Sequence, residues 1–364
     1  MINNRIYVSY GDNPQKMIKE LLAGLKIENY IKKDALIGIK PNLVVAKPAA
    51  LGATTSPELA AGLIEYLQSK GLNNIVILEG SWVGEKTDKA FAACGYTEIS
   101  KTYGVPLIDL QRDSSSPITV QGMEINICDQ VLKVDYLINM PVLKGHCQTK
   151  ITCALKNLKG CIPNMEKRKF HTLGLHKPIA YLNKAVKTDL IIVDGLAGDL
   201  DFEEGGNPVQ MDRIILGFDP VSIDAYAAGL LGFAPDEIPY IKIAESIGVG
   251  SCLTAETKIC EINKEHSVKK IPQSRKVQRL AGYIEEKHAC SACYGSLIHA
   301  LARLSEQGNL SSLQEKVHIG QGYKGIKSKG IGVGACTRGF ECNVLGCPPT
   351  AKAIVDVLMD NVKR

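Results

Sequence analysis

Five of the chain's twelve cysteines stand in its last 75 residues, in CSACYGSL from Cys290 to Leu297 and ACTRGFECNVLGCPP from Ala335 to Pro349. Cys290 and Cys293 form a C-x2-C pair, which puts two sulfurs on one side of a tight turn. Cys336, Cys342 and Cys347 follow among glycines, and Pro348 comes directly after the last of them. Thiolates, close backbone approach at glycine and a Cys-Pro exit suit a four-iron four-sulfur cluster. Zinc would ordinarily draw on a second closely spaced pair, whereas the later spacings here are five and four intervening residues. Zinc, buried thiols and disulfides stay open as alternatives. The four expected ligands are Cys290, Cys293, Cys336 and Cys347, each near a turn. Cys342 lies inside FECNVLG, which alternates like a strand and could turn its thiol into a core, so it is held in reserve.

A second concentration of chemistry runs from Lys144 to Lys159. Lys144, His146, Thr149, Lys150, Thr152, Lys156, Asn157 and Lys159 fall within sixteen residues. Lysine supplies point charge, threonine and asparagine supply directional donors, and Gly145 and Gly160 let the backbone come close to a phosphate or carboxylate. An anion pocket needs that mixture, although an ordinary solvated basic helix would also show the lysines. Lys144, His146 and Lys156 are the candidate catalytic groups. Lys40, Asn42, Thr149, Thr152, Asn157 and Lys159 are the candidate anion-binding groups. Cys147, Cys153 and Cys161 read as small core residues.

These groups need elements to hold them. RIYVSY, ALIGIKPNLVV, NIVILEG and VDYLINMPVLK read as strands, with a helix from Pro14 to Ile31 and another opening at Thr55-Ser56-Pro57-Glu58. The alternation describes an α/β fold with a mostly parallel or mixed sheet flanked by helices. Lys40, Asn42 and Glu79 then fall at the carboxyl ends of strands, where open sheets collect ligands. TDLIIVDG and RIILGFDP would place Asp194 and Asp219 on the same edge, beside an acidic loop with Asp199, Asp201, Glu203 and Glu204. Carboxylates there could pair with the lysines, hold a divalent cation or cap helices; for Asp219 capping is the simplest account. Pro272-Gln273-Ser274 reads as a hinge between residues 1–270 and a smaller cysteine-rich iron-sulfur lobe at 275–364. That lobe is expected to hold a helix from Val277 to His288, one starting at the cysteine pair, short strands before Cys336 and a closing helix.

Composition narrows the classes. A net charge of +5, spread along 364 residues, does not argue for nucleic acid. No apolar run approaches the ~20 residues a membrane helix needs. No secretory leader opens the chain, so a reducing, cytoplasmic setting is expected. No glycine fingerprint of the dinucleotide or P-loop kind occurs between a strand and a helix.

The order of IKPNL (Ile39 to Leu43), GATTSPE (Gly52 to Glu58), the block from Pro141 to Pro163, VDG (Val193 to Gly195) and FDPVSIDA (Phe218 to Ala225) resembles the prokaryotic domain-of-unknown-function family 362. The resemblance implies an iron-sulfur protein with Cys290, Cys293, Cys336 and Cys347 as ligands, and it does not call for Cys342. EEGGNPVQ stands where relatives tend to carry a glycine-proline-glycine arrangement. The expected function is a four-iron four-sulfur oxidoreductase or electron-transfer protein, with a small anionic substrate or a redox partner protein and with oligomerisation open. The alternatives are a non-redox enzyme using Lys and His as acid and base on an organic or phosphorylated acid, and a non-catalytic carrier or binding module.

Overall fold

The computed structural model describes residues 4–263 and 268–362. The chain divides into two compact units, Met1–Lys167 with His176–Gln273, and Arg168–Leu175 with Ser274–Arg364.

In the first unit the strands are β1 (Arg5–Tyr10), β2 (Ile37–Pro41), β3 (Ile75–Glu79), β4 (Leu107–Asp109), the hairpin β5 (Ser115–Val120) and β6 (Met123–Cys128), β7 (Tyr136–Met140), the short hairpin β8 (Lys144–His146) and β9 (Lys150–Thr152), β10 (Leu190–Asp199), β11 (Pro208–Gly217) and β12 (Lys258–Ile262). Eight of them form one sheet in the order β12-β1-β11-β10-β7-β2-β3-β4. It is mixed and mostly parallel. β11 pairs antiparallel with both β1 and β10, and the other pairings are parallel.

Burial on both faces explains the near-continuous apolar strands. Every residue of β2 and β7 is buried, including Lys40 and Asn139. The helix Pro14–Leu25 lays Met17, Ile18, Leu21 and Leu22 on the sheet, and the helix Pro57–Ser69 starts where Ser56 Oγ accepts the Leu59 N–H at 3.2 Å. The first helix stops six residues short of the expected Ile31. Lys26 turns left-handed and closes it onto Ala23 and Leu22, and a short 3-10 turn follows. The expected strand through Lys144 also divides, since β7 ends at Met140 and Pro141 cannot donate to a ladder.

One placement is corrected. Asp219 follows β11, which runs against β10, so it lies on the edge opposite Lys40 and Asp194. There it caps a helix, its Oδ1 accepting from Val221 at 2.8 Å and Ser222 at 3.1 Å.

The second unit has a four-stranded parallel sheet in chain order, β13 (Ile284–Glu286), β14 (Val317–Ile319), β15 (Ser328–Val333) and β16 (Phe340–Val344). The helices Ser291–Glu306 and Ala351–Val362 supply Leu297, Leu301, Leu304, Ile354 and Leu358 to its core, with Val317, Ile319 and Val333 from the sheet. The helix expected from Val277 to His288 covers only Lys276–Ala281, because the following residues are drawn into β13. Among the described residues, no helix is long and apolar enough to cross a membrane.

Candidate functional site

The first unit gathers buried charge at the carboxyl edge of β2, β3 and β7. Lys40 Nζ lies 2.7 Å from Glu79 Oε1 and donates to the Pro41 carbonyl at 2.7 Å. Glu79 also accepts the Gly80 N–H at 2.7 Å and the Leu43 N–H at 2.8 Å. A second amine, Lys167 Nζ, donates to the carbonyls of Gly80 at 3.0 Å and Ser81 at 2.8 Å. Burial pulls Lys167 down to about 8, against the attraction of Glu79. Gly160 packs so closely that a Cβ there would sit 2.5 Å from Lys40 Nζ and overlap the Glu79 carboxylate. Its close approach, expected to serve a ligand, serves this ion pair.

Beside it, two more amines gather at Glu203, one on its carboxylate and one on its backbone carbonyl. Lys156 Nζ lies 3.2 Å from Glu203 Oε2 and donates to Thr152 Oγ1 at 3.3 Å. Lys144 Nζ donates to Ala53 O at 2.5 Å, Glu203 O at 2.8 Å and Asn42 Oδ1 at 3.3 Å. Burial pulls Lys144 down to about 7, partly offset by Glu203. Three oxygen acceptors around Nζ oppose deprotonation, since a neutral amine would turn its lone pair onto one of them. Burial likewise lowers Lys156 and pushes Glu203 up, but the cations around Glu203 prevail and hold its carboxyl well below its ordinary range.

His146 is fixed in one tautomer. Its Nδ1 accepts the N–H groups of Gln148 at 3.0 Å and Thr149 at 3.1 Å, so the ring proton resides on Nε2, which faces Glu203 Oε2. Burial pushes the ring down to about 4, and the two donors at Nδ1 leave no lone pair for a second proton.

The remaining expected anion-binding groups join the same network. Asn157 Nδ2 donates to Asn139 Oδ1 at 2.7 Å and Lys40 O at 3.2 Å, which ties the short helix Ala154–Asn157 to β2 and β7. The Asn42 N–H is taken by Thr55 Oγ1 at 2.8 Å, and Thr149 Oγ1 donates to Ile151 O at 3.1 Å. Lys159 is half-buried. Gly145 abuts the Leu200 carbonyl instead of open space. Asp194 accepts the N–H groups of Ser56 at 2.7 Å and Leu196 at 3.0 Å, and burial raises it to about 6. Sequence reasoning did not put Glu203 or Lys167 among the site residues. For Glu203 the signal was present, an acidic loop facing a basic block.

The second unit brings together the thiols of Cys290, Cys293, Cys336 and Cys347. Cys290 follows β13, Cys336 follows β15 and Cys347 follows β16, so three parallel strands deliver them to one edge, and Cys293 lies one helical turn beyond Cys290. Burial pushes Cys293 up to about 12, and the thiols of Cys290, Cys347 and Cys336 add to the rise. Cys290 is raised by burial and then by Cys336 and Cys347, and Cys336 by burial, with Cys347 adding to it against Lys324. The other sulfurs of the group thus bear on Cys293, and those of Cys336 and Cys347 on Cys290. Gly334 lies within this group, its Cβ position 3.9 Å from Cys293 Sγ. Cys342 sits within β16, and its sulfur accepts from Asn361 Nδ2 at 3.4 Å.

The donor set can be tested against a metal centre. A single zinc ion at ~2.3 Å from each sulfur must draw all four onto one point. Among the described residues, no group of three or more His, Cys, Asp or Glu is drawn together tightly enough to hold a metal ion. Four thiols are the donor set of an iron-sulfur cluster and equally of a structural zinc site. All twelve cysteines are free.

Comparison with known proteins bears on the family of the chain. A thylakoid-associated protein of Synechocystis is 23% identical over 239 residues, spanning 61% of this chain and 70% of that protein. The lactate racemase apoprotein from Thermoanaerobacterium thermosaccharolyticum superposes with a TM-score of 0.38 at 14% identity, over 66% of this chain and 56% of that one. This chain thus spans little more than half of that structure, and so loose a likeness carries no argument. Residues 37–229, which hold the whole buried charge network, match the family model described as "Domain of unknown function (DUF362)", and the chain belongs to that family.

Proposed function

We propose that this is an iron-sulfur electron-transfer protein or oxidoreductase, with a four-iron four-sulfur cluster on Cys290, Cys293, Cys336 and Cys347 and a family domain that receives a small anionic substrate or redox partner. The observation that carries the reading is the delivery of Cys290, Cys336 and Cys347 by three parallel strand ends, with Cys293 one helical turn beyond Cys290, to one edge of the second sheet. Four neighbouring sulfurs, three of them partly buried, would repel one another as thiolates, and a cationic inorganic core removes that cost. When bound, the cluster would supply one-electron chemistry. The chain's own contribution is to hold the sulfurs on a rigid sheet edge and to limit water around Cys290 and Cys293. Free thiols throughout favour a reducing compartment, in keeping with a cytoplasmic protein.

For the anionic ligand, the support is the ratio of charges in the first unit. Lys40 is paired with Glu79 and Lys156 with Glu203, while Lys167 and Lys144 feel those carboxylates only through space. Burial holds Lys144, Lys156 and Lys167 down, and an incoming anion would favour their charged forms. His146, locked neutral, is better suited to positioning Glu203 than to shuttling protons.

The test is iron and sulfide analysis of protein purified without oxygen, with electron paramagnetic resonance and the absorption band near about 400 nm. Stoichiometric iron in wild-type protein and in Cys342→Ser, with its loss in Cys293→Ser, is the expected result. Wild-type protein without iron, or with one zinc per chain, would remove the proposal.

A further inference from the structure

Three of the four parallel strands in the second unit, β13, β15 and β16, are followed shortly by a cysteine, and β14 is followed by Gln321. The side chain of Gln321 occupies the corresponding place at the sheet edge, and its Nε2 donates to Cys290 Sγ at 3.5 Å. This arrangement is fixed by the backbone. Gly320 takes a φ of 123° and lies against the Lys287 carbonyl, where any Cβ would collide. The turn that follows is pinned to the strand-end before Cys290, with Gln321 N–H donating to His288 O at 3.1 Å and Gly322 N–H to Lys287 O at 2.9 Å. Three residues on, the exposed Lys324 closes the same turn, its N–H donating to the Gln321 carbonyl at 3.1 Å, so its positive charge is carried on the segment pinned beside Cys290.

We infer that the turn Gln321–Lys324 is the potential-setting element of the sulfur site, with Gln321 as a hydrogen-bond donor to the Cys290 sulfur and Lys324 as a fixed counter-charge. The inference rests on the cluster proposed above. Both groups favour the more negative, reduced state of whatever the sulfurs hold, because a hydrogen bond to sulfur and a nearby cation each stabilise added negative charge. Neither residue is a ligand. Their removal therefore shifts the reduction potential and leaves the metal in place.

The experiment is a redox titration of full-length protein, followed by electron paramagnetic resonance, for wild type, Gln321→Leu, Gln321→Glu and Lys324→Gln, with iron measured in each sample. At the wild-type midpoint, Gln321→Leu is expected to lower the reduced-to-oxidised ratio by about threefold, as loss of one modest hydrogen bond would. Gln321→Glu should shift it further in the same direction, and Lys324→Gln should shift it also. Midpoints equal to wild type in iron-replete variants would overturn the inference. If Gln321→Leu fails to hold iron, Lys324→Gln decides, and an unchanged midpoint there overturns it as well. Iron missing from wild type is a different outcome, which removes the cluster proposal instead.

Discussion

Lys40 Nζ and Glu79 Oε1 meet at 2.7 Å at the ends of the adjacent strands β2 and β3, with both side chains sealed from solvent. A buried pair of this kind gives little net stability by itself, yet breaking it strands a charge. Glu79→Gln is expected to destabilise the fold by about 3–5 kcal/mol, since Leu43 and Gly80 also lose a charged acceptor. Lys40→Met combined with Glu79→Gln should recover part of that loss. Urea denaturation of the two variants checks this, and equal losses in both would contradict it.

His146 holds two backbone N–H groups through Nδ1. His146→Phe leaves those buried donors without an acceptor, at about 1–3 kcal/mol each. Asparagine places an oxygen near the same position, so His146→Asn should retain most of the stability. Thermal unfolding distinguishes them. Nitrogen-15 shifts of the wild-type ring should report a neutral ring protonated at Nε2 down to about pH 5, because burial holds it at about 4.

Asp224 is fully buried under the helix start at Leu155, whose N–H lies 3.3 Å from both of its oxygens. Burial raises it to about 7. A carboxyl raised above its unfolded value binds more protons in the folded state. Its contribution is complete below the unfolded value near about 4 and is lost as pH rises through about 7. Asp224→Asn should therefore remove a decline in stability between those limits, at most about 4 kcal/mol by linkage. Unfolding free energies measured at several pH values for both proteins test the difference, and parallel curves would refute it.

Cys342 differs from its neighbours in place more than in chemistry. Its thiol accepts from Asn361 on the closing helix. Cys342→Ala should leave iron content unchanged and cost about 1 kcal/mol of stability or less, the scale of one modest hydrogen bond. Cys347→Ala should lose iron while its exposed position spares the fold. Equal iron loss in both would show that the ligand set is assigned wrongly.

The sequence by itself determined the parallel strands, the helix starts and the separation of four turn cysteines from the one within a strand. Apolar runs, caps and glycine spacing are local properties, and each is written in a short window. It also marked Lys40, Lys144 and Lys156 as belonging together at strand ends. The partners of those lysines were decided only by tertiary structure. Glu79 stands 39 residues from Lys40 and Glu203 stands 47 residues from Lys156, and no local pattern records which carboxylate neutralises which amine. The direction of β11 was equally illegible, because an antiparallel strand buried on both faces carries the same apolar run as a parallel one, and that direction moved Asp219 to the opposite edge. Gln321 shows the same limit: glutamine in a turn is unremarkable in a sequence, and it gains meaning only when the sheet sets its amide beside the sulfur of Cys290.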